Sequence, residues 1–449
     1  MRLHPFVQDD LFSRLPLNKR RTLTTKPKTA EPASPSASAA AAYVGAGSEI
    51  DMEIILRKDA EGMNPGCRRV LFALLEKGVQ FQEVSTGSAD EAALPELVLG
   101  DELVCGWEKC LLALENAVLQ VPLLPPDAGE RARALELMQD AQALLPDAGV
   151  SSMWGAKQRQ ETMEKLQAME TLLSTHEGVF ALGNTFSLVD VALFPALEMC
   201  DAQASILVPA LRPSQDPAFP ALQQWFSAMD SRIASYRSRV KGDTFSAAQH
   251  LAKKDPALSA VALEGSKRIL VEDSWKDAVA EPIPAAWNAF SERFPSVAKT
   301  PRQEAAAYLY DAREALWRET ASSVPECVKG ARRPRATQAD GSRADMVDAT
   351  LRLLMSAMIE APDYASSPKF ANTFISTMIQ DLDVDQLTEV KEALLFLREA
   401  ARAPRDMGEL PARQWRSHAS WLGSEVRKLI KKKTSQAAAD TPKPLRSRY

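Results

Sequence analysis

A chain of 449 residues is too long for one ordinary domain, so we expect two or three folded units. Hydrophobic residues make up 45% and charged residues 25%, the profile of a soluble globular protein, and no run of about 18 apolar residues predicts a membrane span. The net charge of −5 gives no overall case for nucleic-acid binding, so we do not expect nucleic acid as a partner.

Residues 1–48 have the composition of a leader. Seven basic residues lie between Arg2 and Lys28, against three acidic residues in the whole segment, and a run rich in Pro, Ser and Ala covers 30–42. This composition is typical of an organelle transit peptide and also of a plain disordered tail. For a transit peptide we expect an organelle, the chloroplast before the mitochondrion. For a plain tail we expect the cytoplasm.

The first folded unit, predicted over 49–122, alternates strand and helix. Apolar runs at 50–57 and 79–84 predict two strands, and the Asn64-Pro65 pair between them is a typical helix start. Because the connection is short, we expect these strands to be parallel. The next elements are predicted at 96–99 (strand), 102–105 (strand) and 107–119 (helix). This order predicts a thioredoxin-like domain.

The pattern after Pro125 is helical throughout. It predicts a helical domain over 127–245, a helical extension over 256–430 with a basic linker at 329–343, and a basic tail at 431–449. The predicted helices are 129–145, 154–175, 187–203, 218–239, 258–280, 302–322, 344–360, 370–381, 384–402 and 411–430. Blocks of like charge are usually solvated, and binding of the basic tail to an anionic surface is the alternative.

The cysteines and histidines indicate neither a disulfide framework nor a zinc site. Four histidines accompany an odd number of cysteines, Cys67, Cys105, Cys110, Cys200 and Cys327. We therefore expect a reducing compartment and no metal.

Three segments carry a resemblance to a known family. They are the helix start at Asn64-Pro65 with its flanking strands, the hairpin after Pro95, and the motif Phe186-Ser187-x-x-Asp190-Val191. In this order they resemble the glutathione S-transferase superfamily, nearest its dehydroascorbate reductase and chloride-intracellular-channel-like branch. The resemblance covers about residues 50–240. It implies an α/β thioredoxin-like domain and an all-α glutathione-transferase domain, with the helical extension added.

Ser187 and Asp190 also have a structural explanation of their own. A Ser at the N-cap and an acidic residue three positions later can each accept a hydrogen bond from the other's backbone N–H, which forms a capping box. An Asp in the first turn also complements the helix dipole. We therefore predict a structural capping box here.

The resemblance assigns the catalytic position to the start of the first helix. Asn64 stands there, and its amide could stabilise the thiolate of glutathione by a hydrogen bond but cannot itself form a mixed disulfide. Cys67 stands at the family's second Cys or Ser position. Its place in the first helical turn would lower the pKa of the thiol and its apolar face would raise it, so a buried structural thiol and a reactive thiol both remain open.

The resemblance also assigns glutathione-binding positions. It places the family's cis-proline on Pro95, with Glu96 beside it, and it places the pair that holds the γ-glutamyl group on Gly106-Trp107, with Glu108 one position later. The family's carboxylate and hydroxyl are thus replaced. The family's second helix hardly fits between Ser85 and Leu94.

Two functions follow as expectations. The first is a glutathione-dependent transferase or thiol reductase with a degenerate site and glutathione as co-substrate. The second is a non-catalytic interaction module in an organelle, with a protein partner on the C-terminal helices. The resemblance also implies a homodimer.

Overall fold

The computed structural model describes seven parts of the chain, which are residues 42–43, 52–86, 93–144, 152–272, 283–322, 341–360 and 379–440. Most of the leader, the linker as far as 340, Cys327, most of the helix predicted at 370–381 and the last nine residues lie outside the described residues. No helix within the described parts is long and apolar enough to cross a membrane.

The first domain is built on a mixed five-stranded sheet. Its strands are β1 Ala42–Tyr43, β2 Ile54–Asp59, β3 Phe81–Thr86, β4 Glu96–Leu99 and β5 Glu102–Cys105, arranged in the order β1-β3-β2-β4-β5. β2 and β3 are parallel and the other pairs are antiparallel. The predicted thioredoxin-like arrangement is confirmed. β1 falls within the segment predicted as a leader.

Two helices, α1 Pro65–Lys77 and α2 Trp107–Ala117, cover one face of this sheet. Asn64 caps α1 at its start, and Gly78 ends it in the left-handed conformation with φ +66°, which favours glycine. Leu56 and Leu97 of the sheet and Phe72 of α1 are completely buried in one core. α1 also contacts the second domain, so it lies between the two domains.

The helical domain begins with α3 Ala128–Leu144, α4 Arg159–Ser174, α5 Leu188–Leu207 and α6 Pro220–Arg232. The single helix predicted at 218–239 is wrong. α6 ends at Arg232, and a π-helical turn, Tyr236–Val240, follows it. π-turns are frequent at functional sites, and no 3.6-residue apolar pattern indicates them.

The extension divides between two cores. Its first helices are α7 Thr244–Lys254, α8 Ser259–Glu272 and α9 Ala285–Arg293, of which α7 and α9 were not predicted. α9 contributes Trp287 and Phe290 to the core of the first two domains. The second core is formed by α10 Pro301–Ser322, α11 Gly341–Glu360, α12 Val384–Ala400 and α13 Glu409–Asp440. The segment predicted as a basic tail therefore starts as helix.

Candidate functional site

Asn64 holds the start of α1 with its side chain. Its Oδ1 accepts a hydrogen bond from the backbone N–H of Cys67 at 3.0 Å. The loop before it is held by Asp59, whose Oδ2 accepts from the backbone N–H groups of Met63 at 2.8 Å and of Asn64 at 3.2 Å. The amide oxygen of Asn64 is thus used in the helix cap, which leaves its Nδ2 group as the donor that a ligand could meet.

Cys67 is a buried thiol, 2% exposed. Burial raises the pKa of this thiol, and the nearby carboxylate of Asp59 raises it further. Both effects disfavour the thiolate, which is the nucleophilic form. Of the two interpretations left open by the sequence, the structure favours the buried structural thiol.

Pro95, Trp107 and the first turn of α1 lie in contact. The Leu94–Pro95 peptide bond is cis, as the resemblance implies. Gly66 lies between these residues, because a Cβ at this position would be 2.9 Å from Cδ of Pro95 and 3.2 Å from Cβ of Trp107. The chain thus brings Asn64, Pro95 and Trp107 together as the resemblance predicts.

The position expected for a γ-glutamyl group has different chemistry here. The guanidinium of Arg69 lies 4.4 Å from the centre of the Trp107 ring, and its Nε donates to the backbone oxygen of Ala192 on α5 at 2.9 Å. The backbone N–H of Gly106 donates to the oxygen of Pro95 at 3.0 Å. A glycine and an indole covered by a buried guanidinium therefore lie where the family pattern has a carboxylate and a hydroxyl.

The two glutamates predicted for this site are placed differently from each other. Glu108 is half-buried in the first turn of α2, one residue beyond Trp107. Glu96 pairs with Arg57 at 3.0 Å. That pair lies on the sheet face opposite α1, so the structure does not bring Glu96 to Asn64.

Sequence reasoning missed a buried charge cluster next to this site. Glu83 on β3 contacts Nζ of Lys58 at 2.6 Å and accepts two hydrogen bonds from Arg239, at 2.7 and 3.0 Å. Burial alone would raise the pKa of Glu83, but Arg239 and Lys58 together hold it below its ordinary value. The available signal was strand alternation, since Glu83 shares the inward face with Phe81.

A second buried pair joins α1 to the helical domain. Nη2 of Arg68 donates to Glu198 at 2.6 Å and to the backbone oxygen of Val240 at 3.1 Å. Glu198 also accepts from the backbone N–H of Gly242 at 2.9 Å. Burial raises the pKa of Glu198 although Arg68 opposes the shift. This pair fixes the π-turn against α1.

The extension packs against the loop that leads to Asn64. Nη1 of Arg239 donates to the backbone oxygen of Pro404 at 2.7 Å, and Nζ of Lys58 donates to that of Arg405 at 3.4 Å. Gly62, with φ +66°, lies so close to the backbone of the extension that a Cβ on Gly62 would be 2.6 Å from Cα of Arg405. The extension is therefore part of this region of the molecule.

Comparison with known proteins places part of the chain in a family. Residues 152–228 match the family model "Glutathione S-transferase, C-terminal domain". This stretch belongs to the glutathione S-transferase superfamily. No match was found among curated proteins.

Solved glutathione S-transferase structures also resemble part of the chain. One from the Antarctic clam Laternula elliptica is 18% identical, covers 40% of this chain and 89% of its own, and has a TM-score of 0.32. Glutathione transferase Omega 3C from Trametes versicolor is 20% identical, with coverages of 40% and 86% and a TM-score of 0.34. A glutathione S-transferase from Methylobacterium radiotolerans, in complex with glutathione sulfonate, is 26% identical, with coverages of 40% and 91% and a TM-score of 0.29.

The capping box lies within the matched glutathione S-transferase domain and is confirmed. Ser187 Oγ accepts from the N–H of Val189 at 3.3 Å, and Asp190 Oδ2 accepts from the N–H of Ser187 at 3.0 Å. Asp190 Oδ1 also accepts from the N–H of Ala181 and from Nε1 of Trp225, both at 2.9 Å. The hydroxyl of Ser187 is the fourth donor to Asp190, at 3.0 Å, and the carboxylate is fully buried, so it organises the domain core and is closed to a substrate.

The described parts of this glutathione S-transferase-like chain contain no cluster of His, Cys, Asp and Glu arranged to hold a metal ion. Asp383, one of three closely spaced acidic residues in the extension, caps α12 in a capping box with Gln386. The nearer resemblance to the dehydroascorbate reductase and chloride-intracellular-channel-like branch stays a prediction.

Proposed function

We propose that this chain is a glutathione-transferase-fold interaction protein that does not catalyse thiol chemistry. The observation that supports this proposal is the start of α1. Asn64, at the position of the family's nucleophile, is used as a helix cap, and Cys67 is buried with a raised thiol pKa. Neither side chain supplies a thiolate or a catalytic hydroxyl.

The extension supports the same proposal. Its segment Ala403–Arg405 packs beside the loop before Asn64, and Arg239, which is almost completely buried, donates to it. An enzyme needs its site open to substrate, whereas an interaction protein needs a fixed scaffold and additional surface. The helices of the extension provide such surface for a protein partner.

A glutathione-dependent transferase is the second candidate, and one observation favours it. Nδ2 of Asn64 has no hydrogen-bond partner among the described residues, and the side chain is half-exposed. Such an amide can donate a hydrogen bond to the thiolate of bound glutathione. The family makes glutathione the first ligand to test.

The two candidates differ in how they respond to changes at Asn64. Glutathione binding is measured by calorimetry, and turnover by conjugation to an aromatic electrophile and by reduction of a mixed disulfide. We compare the wild type with Asn64→Ala and Asn64→Asp. The Asp variant keeps the capping oxygen but loses the amide donor, so it is a matched control for folding.

We expect no turnover that depends on Asn64. Turnover that falls at least about tenfold in both variants, while the Asp variant keeps the wild-type stability, would contradict the proposal and favour the transferase.

The compartment is a separate part of the proposal. The composition of residues 1–48 supports import into an organelle, with the chloroplast first. Residues 1–48 fused to a fluorescent protein should enter the plastid. A cytoplasmic fusion protein would favour a plain tail.

A further inference from the structure

The last part of α13 carries a group of positive charges on one side. Four exposed basic side chains, which we call the basic face, lie within about 140° of the helix surface at about 100° per residue. They are Arg427, Lys428, Lys431 and Lys432. The opposite side of the helix packs on the second core through Val426, Leu429 and Ile430. The basic face therefore points away from the rest of the extension.

The protein itself neutralises little of the charge on the basic face. Lys428 contacts Glu425 at 2.6 Å but stays 68% exposed. Among the described residues, no carboxylate forms an ion pair with Arg427, Lys431 or Lys432. The face consists of two pairs of basic residues four positions apart, and like charges at that spacing destabilise a helix. The stability of the fold therefore does not explain this arrangement.

Two ordinary explanations for basic residues on a helix do not apply to the basic face. Lysine and arginine near a helix C-terminus complement the helix dipole, but that effect is confined to the last turn, and α13 continues for about two more turns to Asp440. Surface charge keeps a protein soluble when it adds to the net charge. The net charge here is −5, so these four cations reduce its magnitude. An anionic ligand explains the basic face better.

The charge of the chain is divided unequally along its length. Residues 426–449 contain eight basic residues and one acidic residue, a net charge of +7, which leaves −12 for residues 1–425. Nζ of Lys433 donates to the backbone oxygen of Gln380 at 2.7 Å, just before α12. α13 continues beyond this contact, with 434–437 exposed, for roughly 10 Å, which is about one Debye length. The basic end therefore extends away from the acidic body of the protein.

Three kinds of anionic ligand differ in the shape and chemistry that they require. The major groove of DNA closes around a helix, but the second core backs one side of α13 through Leu429 and Ile430. Protein interfaces are enriched in aromatic residues and depleted in lysine, whereas the basic face has three lysines and no aromatic residue. A lipid bilayer is flat, and it attracts each nearby lysine or arginine without a specific side-chain geometry. These observations favour a lipid surface.

We propose that the basic face docks this chain on an anionic lipid surface, with the acidic body turned away from the bilayer. Over 427–437, no exposed residue of α13 is aromatic or a large aliphatic one, so the helix lies on the headgroups and does not insert. The face belongs to the extension, outside the residues that match the glutathione S-transferase family model. Docking does not involve Asn64, so its failure and that of the proposed function are distinguishable.

Sedimentation of the full chain with lipid vesicles tests the docking. The vesicles are phosphatidylcholine with about 30% phosphatidylserine, at about 50 mM salt, and pure phosphatidylcholine is the comparison. We expect half of the protein to be bound at about 1 mM anionic lipid or less, and none to bind the neutral vesicles. Salt at about 500 mM should release the bound protein, because it shortens the range of the attraction.

Paired substitutions test the basic face itself. Each basic residue near an anionic bilayer typically strengthens binding about fivefold, so Arg427→Gln/Lys431→Gln should weaken it about 25-fold. This variant should stay folded, because it removes a like-charge pair. Lys254→Gln/Lys267→Gln is the matched control, since it removes two exposed lysines from α7 and α8, and it should bind like the wild type. Arg427→Lys should also bind like the wild type, because a bilayer attracts the charge and needs no guanidinium.

Three results would overturn the proposal. A wild type that stays unbound at about 5 mM anionic lipid does not dock on such a surface. Equal binding of the wild type and Arg427→Gln/Lys431→Gln would show that another part of the chain contacts the vesicles. A chain that leaves the vesicles free but binds a DNA duplex of about 20 base pairs, or a polyglutamate peptide, through the same two residues has a different ligand.

Discussion

Replacement of Glu83 by Gln should strongly destabilise the protein, because it removes the carboxylate that two buried cations share. The carboxylate contacts Lys58 at 2.6 Å and Arg239 at 2.7 Å, and all three side chains are less than 10% exposed. Loss of one partner from such a buried cluster typically costs about 3–5 kcal/mol. We expect a loss of that size in the free energy of unfolding at pH 7.

Glu96→Gln is the matched control for this prediction. It is the same chemical change on the same sheet, but its partner Arg57 is 43% exposed, so the loss should be at most about 1 kcal/mol. Urea unfolding followed by circular dichroism measures both variants. Arg239→Met added to Glu83→Gln should recover part of the stability, since it removes one of the two buried cations that the carboxylate neutralised.

The difference between wild type and Glu83→Gln should also depend on pH. The pKa of Glu83 is held below its ordinary value in the folded protein, so its stabilising contribution is present above pH about 4.5. That contribution is lost as the pH falls through the folded-state pKa. Equal losses in Glu83→Gln and Glu96→Gln at pH 7, or a difference that does not shrink in acid, would refute the reasoning.

Three further predictions concern single side chains. Asn64→Ala should lower the unfolding free energy by about 1 kcal/mol, and Asn64→Asp by much less, because only Asp keeps the oxygen that caps α1. Equal losses of unfolding free energy in the two variants, measured by urea unfolding, would contradict this prediction. In a Cys327→Ser background, an aromatic disulfide reagent should modify only the exposed thiol of Cys105 in the native protein, because the other three thiols are buried. Detection of a second modified thiol by mass spectrometry would contradict this prediction. Burial lowers the pKa of His418 to about 4, so on acidification the imidazole takes up a proton in the unfolded chain before it does so in the folded protein. Between pH 7 and pH 4 the wild type should therefore lose about 3 kcal/mol of unfolding free energy relative to His418→Gln. An identical pH dependence of unfolding in both proteins would contradict the last prediction.

Local patterns in the sequence predicted the elements that depend on local chemistry. The Asn64-Pro65 helix start and the capping box at Ser187 and Asp190 are both present. Each of these features is decided by residues within a few positions of one another, so the sequence displays it directly.

Contacts between distant parts of the chain could not be predicted in this way. Glu83 and Arg239 are 156 positions apart, and neither has a neighbour that indicates the other. The π-turn at 236–240 follows α6 where the apolar pattern alone favours a continuous helix. For the candidate site, the family resemblance assigned Asn64, Pro95 and Trp107 to one site and the structure places them together, but the resemblance could not show that Arg69 stacks on the indole.

The position of the extension has a consequence for synthesis on the ribosome. Arg239 donates to the backbone oxygen of Pro404, which is 165 residues later in the chain. At about 5–20 residues per second, roughly 8–33 seconds pass between the emergence of the two residues. During that interval the first two domains have left the ribosome without the backbone oxygen to which Nη1 of Arg239 donates. The loop before Asn64 is therefore without its packing partner Arg405 until the extension has been made.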